Sequence, residues 1–241
     1  MKNAYAKEDF STGIICKKHN QKKAKQEEIN FSDFCKQRKV EYITLDDPIN
    51  SFQREKYLIK PSGKCLDFWC RKNKREIFVE VKTLTNITNA KREKQISTAI
   101  KEGIKNGKNI IQTSEVFDPI PELKVPFETF LREASKKFKN VKKNFNFPKI
   151  LLLSNVINIH FACHAIFLGA YDSYSKINGK LAYVGMRKRE RGLFDKTGSN
   201  VSALVYWNKE AKCFNGVANP KAKVKFSGNS FNLFFGTKSC Y

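Results

Sequence analysis

Polar and apolar residues alternate most regularly between Ile77 and Lys82. Ile77, Val79 and Val81 fall on one side of an extended chain, and Phe78, Glu80 and Lys82 fall on the other. The pattern predicts a strand. A second arm, Lys64 to Arg71, precedes it, and Lys72-Asn73-Lys74 has turn composition, so the two segments predict a hairpin that brings Asp67 beside Glu80. Alternation along the first arm puts Cys65, Asp67 and Trp69 on one face and Leu66, Phe68 and Cys70 on the other, one face for chemistry and one for the core.

Elsewhere the apolar period is helical. Between Gln21 and Lys39, Ala24, Phe31, Phe34 and Cys35 share a face with Glu27 and Glu28. Between Asn89 and Asn106 the stripe is Ile96, Ala99, Ile100 and Ile104, with an outward basic surface, and Gln95 stands on its flank. From Phe127 to Lys143 it is Phe127, Phe130, Leu131, Ala134 and Phe138, ending in a cluster of Lys136, Lys137, Lys139, Lys142 and Lys143. Such a cluster is a solvated charge run or a phosphate track.

Val40 to Leu45 predicts a short strand closed by Asp46-Asp47-Pro48, and a connector then leads into Tyr57-Leu58-Ile59. Lys149 to Ser154 predicts a central strand. Val201 to Trp207 and Cys213 to Ala218 predict a late hairpin, and the Phe-rich tail is expected to pack on the body. Met1 to His19 reads as an irregular lead-in, and Ile110 to Val125, broken by Pro119 and Pro121, as a connection with one strand at most. His160 to Tyr171 is a buried element of unassigned type. Tyr171 to Ser199 turns polar and glycine-rich. The order predicts an α/β fold, a mixed central sheet flanked by helices, in a single domain over residues 1–241 with a basic loop or insertion at about 171–199.

Charge narrows the partners. Forty-six Lys and Arg stand against 23 Asp and Glu, a net charge of +23, which points to a polyanion. The basic residues are spread along the chain among 20 Phe and 8 Tyr, a pattern that fits nucleic acid better than a membrane surface. Arg187, Lys188, Arg189 and Arg191 form the densest arginine group; they are either nucleic-acid contacts or a surface loop. The 22 residues from Ile150 to Tyr171 carry no Asp, Glu, Lys or Arg, but Asn155, Asn158, His160 and His164 interrupt them, so they are expected to be buried and not membrane-spanning. Seven cysteines, an odd number in a chain of this size, and an N-terminus with no apolar core predict a cytoplasmic protein without disulfides. No Walker-type loop and no G-x-S-x-G motif is present, which argues against an ATP-driven motor and a serine hydrolase.

A carboxylate among Leu66, Phe68 and Trp69 needs a partner, and a metal ion or a buried ion-pair network supplies one. Asp67, then twelve residues, then Glu80-Val81-Lys82 resembles the core motif of the PD-(D/E)XK nuclease superfamily, the restriction-endonuclease-like fold, with Leu66 where the pattern usually has Pro. The resemblance implies that Asp67 and Glu80 hold Mg²⁺ (or Mn²⁺) with the Val81 carbonyl, that Lys82 orients or deprotonates the attacking water, and that Glu28 or Glu27 on the first helix completes the site. It also implies a packed helix after the E-V-K strand. The expected activity is metal-dependent hydrolysis of phosphodiester bonds in DNA, double-stranded by preference, by an endonuclease of the restriction type. A homodimer and a cognate methyltransferase are then expected partners. RNA or structured DNA as substrate, and a noncatalytic nucleic-acid-binding protein, are the alternatives.

Overall fold

A computed structural model describes residues 12–84, 90–107, 119–156, 160–177, 180–196, 198–208 and 213–236. The first element among the described residues is α1 (Thr12–Gln37), which starts inside the segment expected to be irregular. Lys39, at φ 54°, ends it: the Val40 amide reaches back to the Cys35 carbonyl at 2.9 Å and the Lys39 amide to Lys36 at 3.0 Å, a closure that needs a left-handed residue. Buried Val40 then leads directly into β1 (Glu41–Thr44).

A 3₁₀ turn at Pro48–Asn50, capped by the Asp47 side chain, and the short α2 (Ser51–Tyr57) fill the connector that carried no sequence signal. β2 (Phe68–Lys72) and β3 (Arg75–Thr83) form the predicted hairpin. Lys72 pairs with Arg75, so the turn is the two residues Asn73 and Lys74, at φ 48° and 63°; positive φ at both central positions matches the twist of the arms.

α3 (Ala90–Lys105) follows β3, and α4 (Pro119–Lys139) begins well before the predicted Phe127 and ends before Lys142. Pro119 and Pro121 are tolerated because first-turn amides have no helical acceptor; Pro126 lies further inside. The remaining elements are β4 (Lys149–Val156), α5 (His160–Leu168), β5 (Ala170–Ile177), β6 (Lys180–Lys188), α6 (Leu193–Lys196), β7 (Ala203–Asn208), β8 (Cys213–Ala218) and α7 (Gly228–Phe235).

Six strands form one mixed sheet in the order β1-β2-β3-β4-β7-β8. Its β3, β4 and β7 run parallel and the outer pairs antiparallel. Apolar residues on both sides are what a central parallel strand requires, and Ile150 to Leu153 supply them. Leu151 and Leu153 join Phe78, Leu204 and Tyr206 in a core with Leu131, Ala134 and Phe138 of α4 and Ile166 and Phe167 of α5. Ile150 and Leu152 join Ile77, Val79 and Val81 in a second core with Phe31 and Cys35 of α1 and Phe234 and Phe235 of α7. The tail packs as expected. The division of the hairpin into a chemical face and a core face does not hold, because helices cover both sides. Leu66 departs from the alternation as well, joining Trp69 in the α4 core, since regular pairing of this arm starts only at Phe68.

Of the stretch at about 171–199 expected to be a loop or insertion, residues 171–177 and 180–188 form a two-stranded ribbon, β5 with β6, and α6 follows. At its root the chain crosses itself so closely that side chains are excluded. A Cβ on Gly169, at φ 67°, would lie 2.0 Å from the Glu190 carbonyl oxygen, and one on Gly192 would lie 2.2 Å from that of Phe167. Among the described residues no helix is long and apolar enough to cross a membrane; Ile150 to Tyr171 divides into β4 and α5.

Candidate functional site

Asp67 sits one residue before β2, its backbone carbonyl accepting the Leu45 amide at 2.8 Å, so the end of β1 holds it in place. The residue is 5% exposed. Oδ2 accepts the Val81 backbone N–H at 2.7 Å, and Oδ1 accepts from the Lys137 ammonium at 3.1 Å. Glu80, in the middle of β3 and 0% exposed, accepts from the same ammonium through Oε2 at 2.9 Å. Its Oε1 lies 2.6 Å from Lys137 Nζ, off the hydrogen-bonding direction and held by charge alone, and 3.3 Å from Lys82 Nζ. Lys82 in turn donates to Glu133 at 2.8 Å.

Glu133, Lys82, Glu80, Lys137 and Asp67 thus form a chain of alternating charge across the sheet. Strand β3 supplies two members on one face because they are two residues apart, and α4 supplies two because they are four apart. Asp67 also belongs to a second group: one carboxylate oxygen each of Glu28, Asp46 and Asp67 lie within 4.8 Å of one another. Glu28 pairs with Lys25 at 2.9 Å, an along-helix partner available from the sequence, yet it still reaches this group. Glu27 does not. It lines a cleft of about 540 Å³ with Asn30, Phe34, Ser154, Trp207 and Phe214.

Proton affinities follow from this crowding. Burial, and then the charge of Asp67, push Glu80 up to about 8 despite Lys137 and Lys82. Burial also raises Glu28, against its bond to Lys25, and raises Asp46, with Asp67 adding to the effect. Burial opposes the Lys137 ammonium, but the charges of Asp67 and Glu80 outweigh it, and its pKa rises. Only Glu133 moves the other way, lowered by its bond to Lys82. Several carboxylates here hold protons more tightly than usual, because burial disfavours their charged forms and the charge of Asp67 adds to the effect. Glu28, Asp46 and Asp67 offer hard carboxylate oxygens close enough together to hold a metal ion. Among the described residues, Cys and His side chains form no comparable group.

The structure therefore joins Glu80 and Lys82 to Asp67 through Lys137, and joins Glu28 to Asp67 through a separate group that does not include Glu80; it adds Asp46, Glu133 and Lys137 to the predicted residues. Arg187, Lys188, Arg189 and Arg191 are exposed on or just after β6. Lys188 is already paired with Asp195, and Arg189 lies over the Tyr171 ring at 5.9 Å. No contact among the described residues ties this group to Asp67, Glu80 or Lys82. Gln95 has its side chain outside the described residues. Of the stripe expected to pack α3, Ile100 is 44% and Ile104 69% exposed, so that part of the stripe faces solvent. Comparison with protein-family models, with curated proteins and with solved structures returned no match for this chain.

Proposed function

We propose that the protein is a divalent-metal-dependent endonuclease of the PD-(D/E)XK type that hydrolyses phosphodiester bonds in DNA. The observation that carries the reading is the convergence of Asp67 and Glu80, buried carboxylates from two neighbouring strand segments, on a single cationic point beside Lys82. The element order supports it: a helix bearing Glu28, an antiparallel strand pair bearing the motif, and a return to a parallel partner strand through helices.

Asp67, Glu80 and Glu28 are the side chains that hold the metal. The Val81 carbonyl joins them, since a strand residue's N–H and C=O share an edge and the Val81 N–H points at Asp67. A divalent ion held there would supply Lewis-acid polarisation of the phosphate and a more acidic water. Lys82 carries its ammonium between Glu80 and the more exposed Glu133, where it orients the water and stabilises the charge that grows on phosphorus-bound oxygen. In the reaction an O–P bond forms from water and the P–O bond to the departing sugar oxygen breaks. A net charge of +23 and the exposed arginines of the ribbon favour DNA as the polyanion. Restriction of foreign DNA, with a homodimer to cut both strands and a methyltransferase to protect the host, is the role that this activity suits.

A second reading is favoured by Lys137, which already compensates both carboxylates: a noncatalytic nucleic-acid-binding protein with a structural ion-pair network. Incubation with plasmid DNA separates the two. Nicking or linearisation with Mg²⁺ or Mn²⁺, absent with EDTA and in Glu80→Ala, supports the nuclease. DNA binding without cleavage under any metal supports the alternative.

A further inference from the structure

Lys137 touches both proposed metal-binding carboxylates, yet the proposed reaction does not use it. Its ammonium stands 3.1 Å from Asp67 Oδ1, 2.9 Å from Glu80 Oε2 and 2.6 Å from Glu80 Oε1, and thus between the two carboxylates that would hold a divalent ion. Two carboxylates this buried and this close repel strongly unless a cation lies between them. The chain supplies that cation from α4, 57 residues beyond Glu80. An ammonium and a metal ion cannot share the space.

We propose that Lys137 is a tethered counterion occupying the metal position, which keeps Asp67 and Glu80 in place before metal arrives and is displaced when it binds. The inference rests on the reading that this pair binds a divalent cation. An exit is at hand. The Lys137 side chain is 19% exposed, and Glu133, four residues back on the same helix and 51% exposed, offers it a carboxylate at the rim. Lys137 is accordingly a positioning residue whose presence lowers apparent metal affinity, because the site is competent only in the fraction of molecules where the lysine has left.

The test is Mn²⁺ binding by titration calorimetry to the wild-type chain, Lys137→Met, Lys137→Arg and Glu80→Gln. The Lys137→Met protein is expected to bind Mn²⁺ about tenfold more tightly than wild type, or better, if the lysine occupies the site nine-tenths of the time or more. Lys137→Arg, which keeps a competing cation, should return towards wild type, and Glu80→Gln should lose binding. Equal or weaker binding in Lys137→Met overturns the inference while leaving the metal site standing. No binding to any of the four proteins overturns the metal reading itself. Should Lys137→Met fail to fold, the wild-type chain decides alone: reductive methylation followed by mass spectrometry should find Lys137 protected without metal and about fivefold or more faster to react with saturating Ca²⁺. Unchanged protection with Ca²⁺ bound would mean that the ion sits on Glu28, Asp46 and Asp67 beside an undisturbed lysine.

Discussion

The backbone N–H of Val81 donates to Asp67 Oδ2 at 2.7 Å, tying the carboxylate that precedes β2 to the strand that carries Glu80 and Lys82. Strand pairing alone would leave Asp67 one residue beyond the end of the β2–β3 ladder, where Phe68 faces Val79. The side-chain bond extends the registration by one step and fixes how the motif residues stand to one another.

Asp67→Asn keeps an acceptor for Val81 and removes the charge. Its urea midpoint should lie above that of Asp67→Ala, which leaves a buried N–H unsatisfied at a cost of about 1–3 kcal/mol. Both should lack metal-dependent cleavage. Cleavage retained in Asp67→Asn would remove Asp67 from the metal site.

At pH 9, where Glu80 is ionised, removing the charge of Lys137 leaves two buried carboxylates uncompensated. Metal-free Lys137→Met should lose about 3–5 kcal/mol in urea unfolding, and the double variant with Glu80→Gln should recover part of that loss because fewer charges are stranded. Losses that simply add would mean that the two residues do not interact.

The Glu80 carboxyl, lifted to about 8, gives stability a definite pH dependence. The folded chain keeps this proton while the unfolded chain gives it up near 4.5, so the contribution is fully present below that pH and fades as pH rises through about 8. Glu28 and Asp46, also raised, act in the same sense. Lys137 does not enter this window, since a raised ammonium changes charge only above its ordinary 10.5. Thermal melts of the metal-free protein from pH 5 to 9 should therefore fall with pH, and Glu80→Gln should flatten the trend. With metal, cleavage should climb with pH to a plateau that begins below about 8, because a bound cation favours the ionised carboxylate and lowers the pH at which Glu80 gives up its proton.

Lys82→Ala should lower the cleavage rate by about 10²–10⁴-fold while DNA affinity stays near wild type, because the phosphate grip lies elsewhere. Replacing Arg187 and Arg191 by Ala should do the reverse. Fluorescence anisotropy should show weaker DNA binding and a salt dependence shallower by about 1.8 in slope, roughly 0.9 per lost phosphate contact. An unchanged slope would take the ribbon out of the interface.

The strands and the motif were legible because local rules govern them. Alternation placed Glu80 and Lys82 on one face, turn chemistry placed the hairpin, and an unbroken apolar run placed β4 in the middle of the sheet. Glu27 and Glu28 share the predicted apolar face, and the structure parts them: Glu28 reaches Asp67, and Glu27 lines the cleft. Lys137 and Glu133 were missed because their partners are 57 and 51 residues away and the lysine sits in a run that reads as solvated. The signal that was present is its place beside Phe138, on the flank of the apolar stripe of α4. Asp46 was hidden in a turn signature. The ribbon was missed because Tyr183, Val184 and Met186 are exposed, so no buried face imposes a hydrophobic period, and its glycines read as loop.

The crossing at Gly169 and Gly192 leaves the ribbon no slack at its base. The Arg189 amide is bonded to the Gly169 carbonyl at 2.8 Å, and Phe167, two residues earlier at the end of α5, packs on Phe194 just past the crossing and on Phe127 of α4. A pull on the ribbon is thus borne by α5 and passed through tilted, packed rings to α4. The helix that carries Lys137 is mechanically the anchor of the arm that carries the arginines.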